Sequence, residues 1–126
     1  MERRIFMQKM QFVLMGLVLL AAGCRYKFKY TIKLCNSKFY AEVYNINPAG
    51  VDEAYFTDST TFRVYIGKFD NEHEMFKYVC DGDSITINKM AQDATGRMKI
   101  VGTRVLSVLN LSKNKVNSKE PLFEFK

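Results

Sequence analysis

Between Arg25 and Leu34 every second residue is apolar. Tyr26, Phe28, Tyr30, Ile32 and Leu34 alternate with Arg25, Lys27, Lys29, Thr31 and Lys33. Side chains of an extended chain point alternately to opposite faces, so this run predicts a strand with one apolar and one cationic face. A helix would scatter the same residues around its circumference. The period then recurs. Residues 38–46 carry Phe39, Ala41 and Val43 on one face, with Tyr40, Glu42 and Tyr44 on the other. Phe62, Val64 and Ile66 alternate, residues 75–80 form an apolar run, and Ile85, Ile87 and Met90 mark another strand. Residues 98–104 form a further strand, less cleanly patterned.

The intervals fit that reading. Cys35-Asn36-Ser37 has the length of a hairpin connection, and Asp81-Gly82 supplies the positive φ that tight hairpin turns demand. Asp70-Asn71-Glu72-His73 reads as a polar turn. Residues 47–60 contain Pro48, Gly50, Asp52, Asp58 and Ser59, and predict an unusually long connection. Leu106, Leu109 and Asn110-Leu111-Ser112 predict one or two helical turns near residues 105–113, before a final apolar segment at 122–125. The expected fold is all-β, an antiparallel meander of about five to seven strands forming a small sandwich or partly open barrel.

The first residues follow a different plan. Arg3, Arg4 and Lys9 form a basic start, an apolar run extends from Phe12 to Leu20, and Ala21, Ala22 and Gly23 precede Cys24. A basic end, a short apolar segment and small residues are the parts of a secretory signal peptide. The apolar stretch is shorter than the ~20 residues a membrane-spanning helix needs. Leu20-Ala21-Ala22-Gly23-Cys24 resembles the lipobox of bacterial lipoproteins, with Ala21 where that family prefers leucine. The resemblance implies cleavage before Cys24 and lipid on its thiol and freed amine. Residues 1–23 are then a lipoprotein signal peptide, and 24–126 a single lipid-anchored β domain. Removing that leader lowers the formal net charge from +6 to +4. Part of the apparent basicity is therefore targeting signal. No basic helix or nucleic-acid motif is present, and no nucleic-acid partner is expected.

Export places the remaining cysteines, Cys35 and Cys80, in an oxidising compartment. They are a candidate disulfide, although spacing alone leaves two buried thiols open. Little else in the chain is chemical. There is no phosphate-binding loop, no dinucleotide fingerprint, no zinc-ligand cluster and no nucleophile elbow. His73 is the single histidine, and its Asp70, Glu72 and Glu74 neighbours read as a solvated turn. No catalytic residues, metal or cofactor are expected, and the chain is not read as an enzyme.

Two surfaces are candidates for contact. The cations Arg25, Lys27, Lys29 and Lys33 lie just after the anchored cysteine, where they would face anionic headgroups. Tyr55 and Phe56 stand inside a polar segment and are the candidate partner contact, with core packing as their other fate. The order of segments, including 38–44, 57–67 and Asp83-Ser84-Ile85, also resembles small uncharacterised gram-negative lipoproteins. That likeness implies a cell-envelope location and a β-rich domain, and brings no activity with it. Tyr78-Val79-Cys80-Asp81-Gly82 and Ala94-Thr95-Gly96-Arg97-Met98 are similar to segments of lipoprotein inhibitors of lysozyme. The serine and tyrosine that would act on the enzyme are absent here. The leading expectation is a non-catalytic binding or accessory module for an unknown envelope protein or polymer. It would be lipid-anchored at the outer membrane and face the periplasm. The alternative is a small envelope hydrolase or a lysozyme-type hydrolase inhibitor.

Overall fold

The computed structural model describes residues 26–46 and 50–125, which fold as an all-β sandwich. The first sheet contains β1 (Tyr26–Leu34), β2 (Phe39–Ile46), β3 (Val51–Thr57) and β4 (Arg63–Asp70), paired antiparallel in chain order. The second is a three-stranded meander of β5 (Glu74–Asp81), β6 (Ser84–Gln92) and β7 (Met98–Ser107). A short helix, α1 (Val108–Lys113), leads to the two-residue β8 (Asn117–Ser118), which returns to the first sheet parallel to β4. The sheets do not close into a barrel, and the helix falls where the leucine spacing predicts one turn or two.

Alternation explains the layers. Val43, Ala54, Phe56, Val64 and Ile66 of the first sheet meet Phe76, Ile85 and Ile87 of the second in one buried cluster. Phe39, Phe56 and Phe62 pack ring to ring at one end, with centroids 5.2–6.1 Å apart. Phe69, Phe76 and Phe123 do so at the other, at 5.2 and 5.4 Å. Such pairs contribute roughly 0.5–1.5 kcal/mol each beyond the area they bury. The helix closes one end: Ser107 Oγ accepts from Asn110 N, Asp83 O accepts from Val108 N, and Leu111 is buried.

Two sequence expectations are corrected. Residues 47–60 are not one long connection, because β3 occupies Val51–Thr57 as a central strand. The turn-forming residues mark its two ends, and Asp52 sits inside it as a buried anchor. Asp52 accepts from Lys29 Nζ, Asn45 Nδ2 and Asn71 Nδ2 at 3.1, 3.0 and 3.2 Å. The second correction concerns β1. Its pairing with β2 slips between Phe28 and Tyr30, leaving Lys29 as a bulged residue. Phe28 faces outward beside Tyr44, whereas Tyr30 and Ile32 align with Val43 and Ala41 on the core-facing side. An extra residue in one strand reverses every later side chain, so the unbroken alternation does not give a single apolar face.

The C-terminal segment extends the β4 edge. Leu122 N donates to Tyr65 O and Phe123 N to Ile66 O, at 3.2 and 3.1 Å. Gly67 makes this possible: its φ is +138°, and a Cβ there would lie 2.6 Å from Phe123 O. Phe123 thereby reaches the core from the open side between β4 and β7.

Cys35 and Cys80 are joined, with Cα atoms 5.7 Å apart. The bond ties the β1–β2 turn of one sheet to the end of β5 in the other. Cys35, Asn36 and Ser37 all have positive φ, at 53°, 58° and 67°. Left-handed backbone costs a residue other than glycine roughly 1–2 kcal/mol, so the tertiary bond holds a turn that local preference opposes. Closing a loop of 45 residues should stabilise the fold by about 4 kcal/mol on the chain-entropy model. Guanidinium unfolding with and without a phosphine reductant should show a loss of that order. Identical midpoints would show that the bond adds nothing.

Candidate functional site

The outer face of the first sheet carries a continuous cluster of aromatic and charged side chains. Pairing places Phe28 opposite Tyr44, Tyr44 opposite Glu53, Glu42 opposite Tyr55, and Tyr55 opposite Tyr65. The rings contact in sequence across four strands. Phe28 meets Tyr44 edge-on at 5.3 Å, Tyr44 meets Tyr55 edge-on at 5.6 Å, and Tyr55 meets Tyr65 at 5.0 Å with a 33° tilt. Each strand contributes only its outward positions, and the slip in β1 delivers Phe28 to the same face.

Arg63 lies at the centre. Its guanidinium carbon is 3.7 Å from the centroid of Tyr55 and 5.7 Å from that of Tyr44. The Arg63 Nε and Nη2 donate to Glu42 Oε1 at 3.3 and 3.2 Å, and Nη2 also donates to Tyr44 Oη at 3.2 Å. Planar stacking and a fixed fork of donors suit arginine here and would not suit lysine. On the far side Tyr65 Oη donates to Glu53 Oε1 at 2.6 Å. Burial and the Glu53 carboxylate both push the Tyr65 phenol above its ordinary value. Burial and Glu42 also raise Tyr44, while Arg63 draws it back. These phenols hold their protons and act as hydrogen-bond donors. The face offers stacking rings, an arginine with one side stacked and the other turned to solvent, and two carboxylates already engaged. That chemistry suits recognition by stacking and hydrogen bonding. It holds no nucleophile–base pair.

The sequence candidates separate cleanly. Tyr55 belongs to this face, beneath Arg63. Phe56 is fully buried at 0% exposure and cannot be a partner contact. Lys27 and Lys29 do not share a face with Lys33. Lys27 aligns with Asn45, Lys29 turns to Asp52, and Lys33 aligns with Tyr40 beyond the bulge. The expected single cationic face therefore does not form. Arg25, Cys24 and the signal segment lie outside the described residues. His73 is exposed and pairs its Nδ1 with Asp70 Oδ2 at 2.9 Å, which raises the imidazole pKa and lowers the carboxyl. The two segments likened to lysozyme inhibitors stand at opposite ends of the second sheet, one at the β5–β6 turn and one at the β6–β7 turn. Sequence reasoning did not single out Arg63, Tyr44, Tyr65, Glu42 and Glu53. The signal is present in the outward positions of the strands, but turn-forming residues mask β3, and the register depends on that strand.

No family profile, curated protein or solved structure matches the chain.

Arg63 is positioned by the β3–β4 turn, which Asp58 organises. Asp58 Oδ1 accepts from the backbone N–H of Thr60, Thr61 and Phe62, and Oδ2 accepts from the Thr61 hydroxyl. Burial pushes the Asp58 carboxyl up, but the Thr61 hydroxyl and these N–H donors outweigh it and bring the pKa down to about 2. A carboxyl depressed by folding stabilises above its ordinary value near 3.8 and loses that contribution as pH falls toward 2. Comparing the wild type with Asp58→Asn by urea unfolding should show a stability gap at pH 6. The gap should close between about pH 4 and pH 2. A gap independent of pH would show that the charge is not what holds the turn.

Proposed function

We propose that this chain is a lipid-anchored cell-envelope protein, a non-catalytic binding module that engages an envelope protein or polymer through the outer face of its first sheet. The observation that carries the reading is the arginine–tyrosine cluster around Arg63 and Tyr55. Tyrosine and arginine are enriched among the residues that carry binding energy: tyrosine offers large contact area with two torsions to freeze, and arginine a planar fork that stacks and donates. Here neighbouring rings and carboxylates already fix them, so a partner need not order them again. The lipobox at Cys24 supports the anchor. The basic residue directly after it and the absence of an acidic stretch there support the periplasmic side of the outer membrane.

Two measurements test this. Cells grown with labelled palmitate should incorporate label into the wild-type chain and not into Cys24→Ser, and equal labelling would remove the lipid anchor from the reading. Cross-linking in intact cells, followed by purification from solubilised envelopes, should yield a defined partner for the wild type. The partner should be lost in Arg63→Ala and in Tyr55→Ser, and retained in Lys77→Ala, an exposed position on the second sheet. Recovery of the same partner with Arg63→Ala and Tyr55→Ser would move the binding face elsewhere.

A further inference from the structure

The core-facing side of the second sheet carries charge at the end that the first sheet does not cover. Register pairs Phe76 with Lys89, Lys89 with Gly102 and Ile87 with Arg104. Glu74, Lys89 and Arg104 therefore form a diagonal row across β5, β6 and β7, each beside the next on one face. Diagonal neighbours in a sheet sit ~7–8 Å apart at their backbones, within reach of long side chains. All three line a cavity of about 660 Å³, roofed by the C-terminal segment at Leu122 and Phe123. Cavities that hold small molecules span roughly 300–1,000 Å³.

A buried lysine is costly unless its donors are used. Lys89 is only 7% exposed, and its ammonium stands 3.6 Å from Glu74 Oε2, longer than a hydrogen bond. The other Glu74 oxygen accepts from Asp70 N at 2.7 Å, and the Lys89 ammonium also stands 5.8 Å from the centroid of the Phe125 ring. Arg104 lies over the Phe123 ring at 5.0 Å and donates to its neighbour's carbonyl, Thr103 O, at 2.9 Å. Among the described residues it has no carboxylate partner. Gly102 stands between the two cations. A Cβ there would come within 3.1 Å of Phe123 Cε1, so the glycine lets that ring close over the cleft wall.

We propose that this cleft binds a small monocarboxylate with an apolar body. The carboxylate would lie between the Arg104 guanidinium, whose planar fork matches it, and the Lys89 ammonium. The apolar body would lie against Phe123, Val101 and Leu122. A single negative charge suits the site better than a phosphate, because Glu74 already offsets Lys89 and, of the two cations, only Arg104 lacks a carboxylate partner among the described residues. The inference concerns a different face from the arginine–tyrosine cluster and stands or falls independently of it.

The test is ¹⁵N NMR titration of the full chain in a nonionic detergent, with 3-phenylpropanoate, its amide and inorganic phosphate as probes. 3-Phenylpropanoate should shift the Val101, Gly102 and Phe123 amides saturably, and neither the amide nor phosphate should do so. Arg104→Gln, on an exposed edge strand, should keep the dispersed spectrum and weaken binding roughly tenfold, the equivalent of one charge-assisted contact. Lys89→Gln should weaken it similarly where that variant folds. Equal shifts with the amide, stronger binding of phosphate, or unchanged affinity in Arg104→Gln would each overturn the assignment.

Discussion

Two sheets that share so few covalent links must be held face to face at both ends, and at the second end the Cys35–Cys80 bond does so together with the α1–β8 crossing. The chain passes between the sheets at Asn71–His73, beside the start of β5. The disulfide joins them beside the end of β5, so the buried aromatics lie between a peptide link and a sulfur link. The 97 described residues, with a half-exposed second sheet, do not enclose a large core. Without the bond, only the Asn71–His73 turn and the return through α1 and β8 would link the three-stranded sheet to the first. The left-handed backbone at Cys35, Asn36 and Ser37 belongs to the same device, because it aims Cys35 across the gap.

The outer aromatic face depends on that rigidity at one remove. A sheet fixed from below by Phe56, Val64 and Ile66 can present Tyr44, Tyr55, Arg63 and Tyr65 from above in one arrangement. The bulge at Lys29 serves both sides. It sends the lysine to the buried Asp52 and leaves Phe28 at the end of the outward ring series. A residue that reads as a membrane-facing cation is used as a counter-charge for the core rim.

Alternation made most of the fold legible. β1, β2, β4, β5 and β6 follow from the spacing of their apolar residues, and the helix follows from Leu106, Leu109 and Leu111. β3 was hidden because turn-forming residues also occur where a strand end needs a polar anchor: Asp52 has that role, and only the side chains of Asn45, Asn71 and Lys29 reveal it. β7 was weakly patterned for another reason. It is an edge strand of a sheet covered on one side, so Ile100, Val101 and Val105 stay more than half exposed and mix with the core-facing Arg104. Of the candidate site, Tyr55 was legible as an aromatic in polar surroundings. Its neighbours were not, because cross-strand partners are far apart in the chain.

The sequence by itself determined that this is a β domain, which residues alternate, and which cysteines are available to meet. Periodicity is a local property and survives without knowledge of the partner strand. Tertiary structure alone decided the register, the slip at Lys29 and the joining of Cys35 to Cys80. It also decided the assembly of Arg63 with three tyrosines from three strands, and the charged row at Lys89. Each of these rests on one backbone choosing its position against another, and a shift of a single residue would turn every one of those side chains to the opposite face.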